Sequence, residues 1–303
     1  MITIRRILCP VDFSRFAHHA LEQAIDLAHE FNAEVSVLHA SAVAPVTSLA
    51  PVGAPLALEP ARLTREERQA ITAHLHEFTG EVDGGGLSVT NRLVEQDPVS
   101  AIVQIAGSWP ADLIVMGTHG RAGFERLLLG SVAEKVLRKA TCPVLTVPRR
   151  AFEARHRLTA GRILCPIDFS PTSLRALEYA TSLAASDGPG VHVLNVIELF
   201  AEAGGLHDEI MLDTPDFRAG LMHHAQQRVH DAISETMRLG CPITESVTMG
   251  KAYREILRVA AWEKADLIVL GVQGRSTADL LLFGSTTQHV VRQAECPVLT
   301  IRA

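Results

Sequence analysis

The sequence predicts a doubly wound α/β protein built from two copies of one domain, each with about five parallel strands covered by helices on both faces. Three observations carry this. The chain has 303 residues, the length of about two domains. It is also written twice: RILCPVDFS at 6–14 recurs as RILCPIDFS at 162–170, ADLIVMGTHGR at 111–121 as ADLIVLGVQGR at 265–275, and CPVLT at 142–146 again at 296–300. The offsets are 156 for the first pair and 154 for the others, so distant matches keep register and the chain is a tandem duplication. Finally, short Ile, Leu and Val runs alternate with segments of helical period.

In the first copy the compact run from Ile4 to Pro10 is read as a strand. Phe16 to Phe31 places Ala17, Ala20, Leu21, Ala24, Ile25, Ala28 and Phe31 at spacings of three and four, a helix with Ser14 as its N-cap. Val35 to His39 follows as a second strand, then a helix over about Thr64–Thr79 and a strand over about Leu87–Val94. A helix over Val99–Gly107, a buried strand over Leu113–Met116, a helix over Ser131–Lys139 and a closing strand over Val144–Val147 complete the copy. The second copy repeats the order, with strands near Ile163, Val191, Ile243, Leu267 and Val298, and Pro171 after Ser170 at the favoured first helical position. The domains are expected at 1–148 and 162–303, joined by a polar, charged linker at 149–161.

Composition excludes several classes. Lys plus Arg is 28 and Asp plus Glu 34, a net charge of -6. Neither half holds the basic excess that nucleic-acid backbones demand, so no nucleic-acid partner is expected. No secretory h-region follows Arg5 and Arg6, and the uncharged stretch Ala40–Leu58 is broken by Pro45, Pro51 and Pro55. It is read as an apolar surface loop rather than a membrane span, either a contact surface or a lid. Five cysteines without metal or redox spacing, each followed by proline, fit a reducing cytoplasm.

In such sheets ligands bind beyond the carboxyl ends of the strands, where the strand order reverses. Two turns stand out there. One is Pro10-Val11-Asp12-Phe13-Ser14, matched by Pro166-Ile167-Asp168-Phe169-Ser170. The other begins at Gly117 and reads Gly-x2-Gly-x9-Gly-Ser through Gly120, Gly130 and Ser131, matched by Gly271, Gly274, Gly284 and Ser285. A Gly-Ser step opening a helix points unpaired N–H groups and the positive dipole end outward, which suits a phosphate. An acid at the first strand's end suits a ribose or base. Each feature also has an account without a ligand. Ser131 with Glu134, and Ser285 with Gln288, have the spacing of a capping box; Asp12 could cap the first helix; Gly117 and Gly120 could shape a turn. Two turns meeting at one switch point, both present twice, favour the ligand.

These residues resemble the universal stress protein family in its tandem form, whose nucleotide signature both copies match in full over nearly the whole chain. The resemblance implies two Rossmann-like domains with strand order 3-2-1-4-5 and an adenine nucleotide such as ATP, with or without magnesium. It places Pro10 and Asp12 on the base and ribose side of site one, with Ala40 at the base and Met116 before the signature. Gly117, Gly120, Arg121, Gly130, Ser131 and Val132 surround ribose and phosphates. Pro166, Asp168, Val196, Leu270, Gly271, Gly274, Arg275, Gly284, Ser285 and Thr286 do the same in site two. It also implies an intramolecular pseudo-dimer through the last strands, with a further homodimer as an extension.

The copies differ around the signature: His119 becomes Gln273, Gly123 becomes Thr277 and Arg126 becomes Leu280. The segment Glu198–Asp216 carries six acids, Glu198, Glu202, Asp208, Glu209, Asp213 and Asp216, which would weaken a polyphosphate site beneath them. Site one is therefore expected to be the tighter. No GxxxxGK[ST], G-x-G-x-x-G or G-x-S-x-G occurs, and no metal site is expected: His18-His19 and His223-His224 are helix neighbours that do not share a face. Regulatory nucleotide binding is the favoured function. A slow ATPase or autokinase, with Glu125 and Asp279 as base candidates, and a scaffold with relic pockets are the alternatives.

Overall fold

The structure is a computed structural model that describes residues 2–42, 45–46, 59–60, 62–82, 84–118, 129–148, 161–184, 186, 188–198, 214–272 and 284–302. The linker 149–160, the signature loops 119–128 and 273–283, and the acidic stretch 199–213 lie outside them. Two compact units form: Thr3–Phe124 with Gly130–Cys142, and Pro143–Ala303 with Met1–Ile2 and Glu125–Leu129.

The first unit runs β1 (Arg6–Pro10), α1 (Arg15–Phe31), β2 (Glu34–Ser41), β3 (Pro45–Val46), β4 (Glu59–Pro60), α2 (Arg65–Gly80), β5 (Val89–Glu95), α3 (Pro98–Ser108), β6 (Leu113–Gly117) and α4 (Ser131–Lys139). Its main sheet has the order β5-β2-β1-β6, and every pairing is parallel. Ile7, Leu8 and Cys9 on the central strand have no solvent exposure, which is why the run lacks polar alternation. Each such aliphatic side chain contributes roughly 1.5–3 kcal/mol by leaving water. The stripe Phe16, Ala17, Ala20, Leu21, Ala24, Ile25 and Ala28 is buried on α1, as its spacing requires. Ser14 caps that helix through Oγ, accepting from Ala17 N at 3.2 Å. Thr64 and Glu67 form a capping box on α2, and Asp97 caps α3 ahead of Pro98.

The second unit runs β7 (Val144–Val147), β8 (Ile163–Pro166), α5 (Pro171–Leu183), β9 (Val191–Ile197), α6 (Pro215–Ala232), α7 (Glu235–Gly240), β10 (Ile243–Met249), α8 (Ala252–Glu263), β11 (Leu267–Gly271), α9 (Ser285–Gln293) and β12 (Val298–Ile301). Its order is β10-β9-β8-β11-β12-β7. Strands β8 to β12 are the expected parallel 3-2-1-4-5 arrangement. The main-sheet strands β1, β2, β5 and β6 of the first copy follow the same order, while its closing strand β7 belongs to the second unit. There β7 pairs antiparallel with β12, Val298 opposite Thr146 and Thr300 opposite Val144. Two buried hydroxyls lock the ladder: Thr146 Oγ1 donates to Val298 O at 3.1 Å and Thr300 Oγ1 to Val144 O at 3.0 Å.

Two local expectations are corrected. The 40–58 stretch is not all loop, because β2 reaches Ser41 and β3 pairs antiparallel with β4. The six-residue helix α7, capped by Ser234, had no periodic signal to betray it. Among the described residues no helix is long and apolar enough to cross a membrane.

Candidate functional site

The sheet order creates one reversal in each unit. From β1 the chain moves to β2 and β5 on one side, then returns to β6 on the other. From β8 it moves to β9 and β10, then returns to β11. Because β1 and β6 are parallel neighbours, as are β8 and β11, the turns after Pro10 and Gly117, and after Pro166 and Gly271, leave the sheet at the same edge. That edge is where a doubly wound sheet opens a crevice.

The turn after β1 is built from its own hydrogen bonds. Asp12 Oδ1 accepts from Ser14 N at 3.1 Å and Ser14 Oγ at 2.6 Å. Asp12 therefore braces the cap residue rather than capping α1 itself. Asp168 accepts from Ser170 N at 3.0 Å, and its own N–H donates to Ser173 Oγ at 3.2 Å. Desolvation acts to raise the Asp168 pKa, but hydrogen bonds from Ser170 and Ser173 outweigh it and hold the carboxyl below its ordinary value. Between acid and serine the backbone turns left-handed at a phenylalanine, with φ 62° at Phe13 and φ 64° at Phe169. Such a conformation in a bulky residue is unusual and must be held by its surroundings. Phe13 is sandwiched by His39 and His74, centroids 4.3 and 4.2 Å away, while Arg228 sits 3.9 Å over the Phe169 ring.

Position 39 and its counterpart 195 also tie this turn to the second strand. His39 Nδ1 lies 2.8 Å from Val11 O, and Asn195 Nδ2 donates to Ile167 O at 2.8 Å. No motif in the sequence singles out His39 or Asn195 as part of the site, and the two phenylalanines appear there only as members of the turn. The signal lies in the repeat: His39 and Asn195 differ by the same 156 as the RILCP motifs.

The second turn decides between a cap and a ligand. Gly130 and Gly284, not the serines, occupy the N-cap positions of α4 and α9, and among the described residues no side-chain cap is seen on either helix. The capping-box account of Ser131 and Ser285 is thereby overturned; Glu134 instead pairs with Arg138 at 2.8 Å. By contrast α1, α2, α3, α5, α6 and α7 each begin under a Ser, Thr or Asp side chain. In the first copy Gly130 N donates to Thr118 O at 2.8 Å, which fixes the helix start against the end of β6.

The glycines have separate reasons. A Cβ on Gly271 would lie 2.5 Å from the Thr172 carbonyl carbon, so the approach of α5 to the strand end requires glycine there, while one on Gly117 would make a tight 3.1 Å contact with Phe16 O. A Cβ on Gly284 would meet only Thr287 Oγ1, at 3.9 Å, with φ -53° and ψ 139°. Among the described residues, then, nothing in the packing there demands a glycine.

Ser131 and Ser285 are exposed at these helix starts, with Val132 and Thr286 half-buried beside them. Ala40 and Val196 lie near the ends of β2 and β9, half-buried, whereas the Met116 and Leu270 side chains are in the core and offer the crevice only backbone. Pro10 and Pro166 end the first strand of each copy. Gly120, Arg121, Gly274 and Arg275 lie outside the described residues, as do His119, Gln273, Gly123, Thr277, Arg126, Leu280, Glu125 and Asp279. Of the six acids in the second copy, Glu198 accepts from Ala252 N at 2.5 Å and so supplies the cap that Lys251 cannot, and Asp216 sits in the first turn of α6. The other four lie outside the described residues.

Comparison with known proteins agrees with this architecture. The profile of the Universal stress protein family matches residues 3–148 and again 159–302. A universal stress protein of Methanocaldococcus jannaschii is 37% identical over 145 residues, 48% of this chain and 82% of that protein. One from Mycobacterium tuberculosis is 28% identical over 249 residues, 78% of this chain and 77% of that protein. The crystal structure of a universal stress protein from Archaeoglobus fulgidus aligns with TM-score 0.66 at 20% identity, covering 99% of this chain and 97% of that one.

Proposed function

The chain belongs to the universal stress protein family, and from that premise we propose that it is an adenine-nucleotide-binding regulatory protein of the stress response, with one ATP site in each of the domains 1–148 and 162–303. The observation that carries this reading is the pair of helices α4 and α9, which begin on glycine with no side-chain cap at the reversal point of each sheet. Uncapped first-turn N–H groups and the positive end of the helix dipole form an anion site. In support, the turn that holds Asp12 or Asp168 leaves the sheet at the same edge as the strand that precedes each of these helices.

In this reading the first-turn N–H groups of Ser131 and Val132, and of Ser285 and Thr286, receive the phosphates. Gly130 and Gly284 let them approach, and Arg121 and Arg275 add charge. Asp12 and Asp168 take the ribose or base, between Pro10 or Pro166 and the strand-end positions Ala40 or Val196. A magnesium ion accompanying the phosphates would be reached by the exposed Ser131 and Ser285 hydroxyls, oxygen donors of the kind that ion prefers. The antiparallel β12–β7 ladder joins the last strands of the two copies and supports an intramolecular pseudo-dimer. Cytoplasmic residence fits five free thiols.

The test is to denature the purified full-length protein and separate the released nucleotide by chromatography, with titration of the emptied protein. ATP at up to two per chain supports the reading, ADP moves it to slow hydrolysis, and no binding of any adenine nucleotide overturns it. Site one, with Arg126 and without the acids of 199–213, is the tighter; equal Kd values in two single-site variants would remove that distinction.

A further inference from the structure

We propose that the first domain carries a site for a divalent transition cation of the zinc class, formed by His18, His19 and Glu22 on α1 and supported by Glu81 at the end of α2. It is independent of the nucleotide reading. The expectation that adjacent histidines cannot cooperate is corrected by the position of Glu22. At about 100° per residue, Glu22 falls angularly between the two histidines and one turn beyond them. Its carboxylate therefore serves both: Oε2 lies 2.7 Å from His19 Nδ1 and Oε1 3.6 Å from His18 Nδ1. One ligand atom from each residue lies within 4.8 Å of the other two, the one such group of His, Cys, Asp and Glu among the described residues. Tetrahedral zinc ligands stand about 3.4 Å apart at the usual bond lengths, a contraction that surface side-chain ends reach by small rotations.

A second observation points the same way. The far nitrogen of His18, Nε2, faces Glu81 Oε2 at 3.4 Å. A carboxylate on the outer nitrogen of a ligating imidazole is the arrangement that fixes the ring and raises its basicity in metal sites. The His18 ring is further held edge-on to Phe78, centroids 5.5 Å apart. Two imidazoles with one carboxylate select a borderline cation over magnesium or calcium. The side chains of His18, His19 and Glu22 are 24%, 32% and 44% exposed, so an ion and completing waters reach them from solvent. The second copy has Leu174 and Arg175 at the matching positions, so the stoichiometry is one per chain.

The test uses the full, untagged chain, titrated with zinc by calorimetry and with cobalt by visible absorption, which reports imidazole ligation directly. Wild type is expected to take up one tight equivalent that His19→Ala/Glu22→Gln loses, with unchanged circular dichroism and melting. Neither position is in the core, so the doubly substituted chain keeps its fold. Glu81→Gln should retain the stoichiometry and bind about 10- to 100-fold more weakly. If wild type and the doubly substituted chain take up zinc equally, or wild type gives no cobalt spectrum of imidazole ligation, the site does not exist.

Discussion

Replacing Gly284 by leucine separates the role of the helix start in binding from its role in folding. The backbone at φ -53° and ψ 139° is open to any L-residue, and among the described residues the new Cβ would meet only Thr287 Oγ1 at 3.9 Å. Losing glycine at an N-cap costs up to about 1 kcal/mol, and the stiffer unfolded chain returns about 0.4–1 kcal/mol. The fold should therefore keep its stability within about 1 kcal/mol, a melting shift of roughly 2–4 °C at most for a domain of this size. Binding should change far more. A leucine side chain covers the first-turn N–H groups, and losing one hydrogen bond to a charged phosphate, about 1.5–3 kcal/mol, raises Kd roughly 10- to 150-fold. The assay is calorimetric titration of ATP into wild type, Gly284→Leu and Gly130→Leu, with melting curves alongside. Gly271→Ala is the contrasting control: its Cβ would sit 2.5 Å from the Thr172 carbonyl carbon, so α5 must shift and stability falls by about 1–3 kcal/mol. Gly117→Ala, at 3.1 Å, should cost less. If both leucine variants melt normally and still bind ATP with wild-type affinity and stoichiometry, the helix starts are not the phosphate site.

Asn195→Ala should destabilise the second domain by about 1–3 kcal/mol in urea melts, because the buried Ile167 carbonyl loses its side-chain donor. The hydrogen bonds of Asp168 depress its pKa, so their stabilisation is full at neutral pH, well above the unfolded value, and is lost as pH falls through the depressed folded value. Asp168→Asn should thus lower stability at pH 7, by about 1 kcal/mol, and converge with wild type in acid. Thiol labelling at pH 8 should modify at most Cys142 in the folded chain. Burial pushes Cys142 up to about 11 and Cys296 to about 12, and raises Cys9, Cys165 and Cys241, of which Cys142 alone is not buried. Fast labelling of more than one thiol at neutral pH would contradict the packing of the β1 and β8 runs.

The fold was legible because a duplication supplies its own alignment. Paired apolar runs marked the central strands, their spacing carried helices and caps with errors of one or two residues at most ends, and the strand order came from the family resemblance. The site was legible only to the level of its turns. The pattern Gly-Ser-x-x-Glu reads as a cap box in sequence, yet the structure shifts the N-cap back one residue to glycine, because Gly130 N bonds to Thr118 O. That bond joins residues 12 apart in sequence, outside the reach of local propensity. The same holds for His39 and Asn195, whose partners lie across a strand, and for Glu22, whose reach back along α1 depends on side-chain direction as well as helical angle.

Duplication also exposes where the two copies have been held alike and where they have diverged. The turn after the first strand keeps its acid, its left-handed phenylalanine and its capping serine in both copies. Its fastenings differ: neutral Asn195 and cationic Arg228 in the second copy replace His39 and His74 in the first. The shape of the turn is thus common to both copies, while the groups that hold it differ. What both versions present is an acid at the sheet edge where β1 and β6, or β8 and β11, end. The fastening in the first copy consists of two imidazoles stacked on one phenyl ring. The second copy holds the equivalent turn with the Arg228 guanidinium over the Phe169 ring and the Asn195 amide on the Ile167 carbonyl.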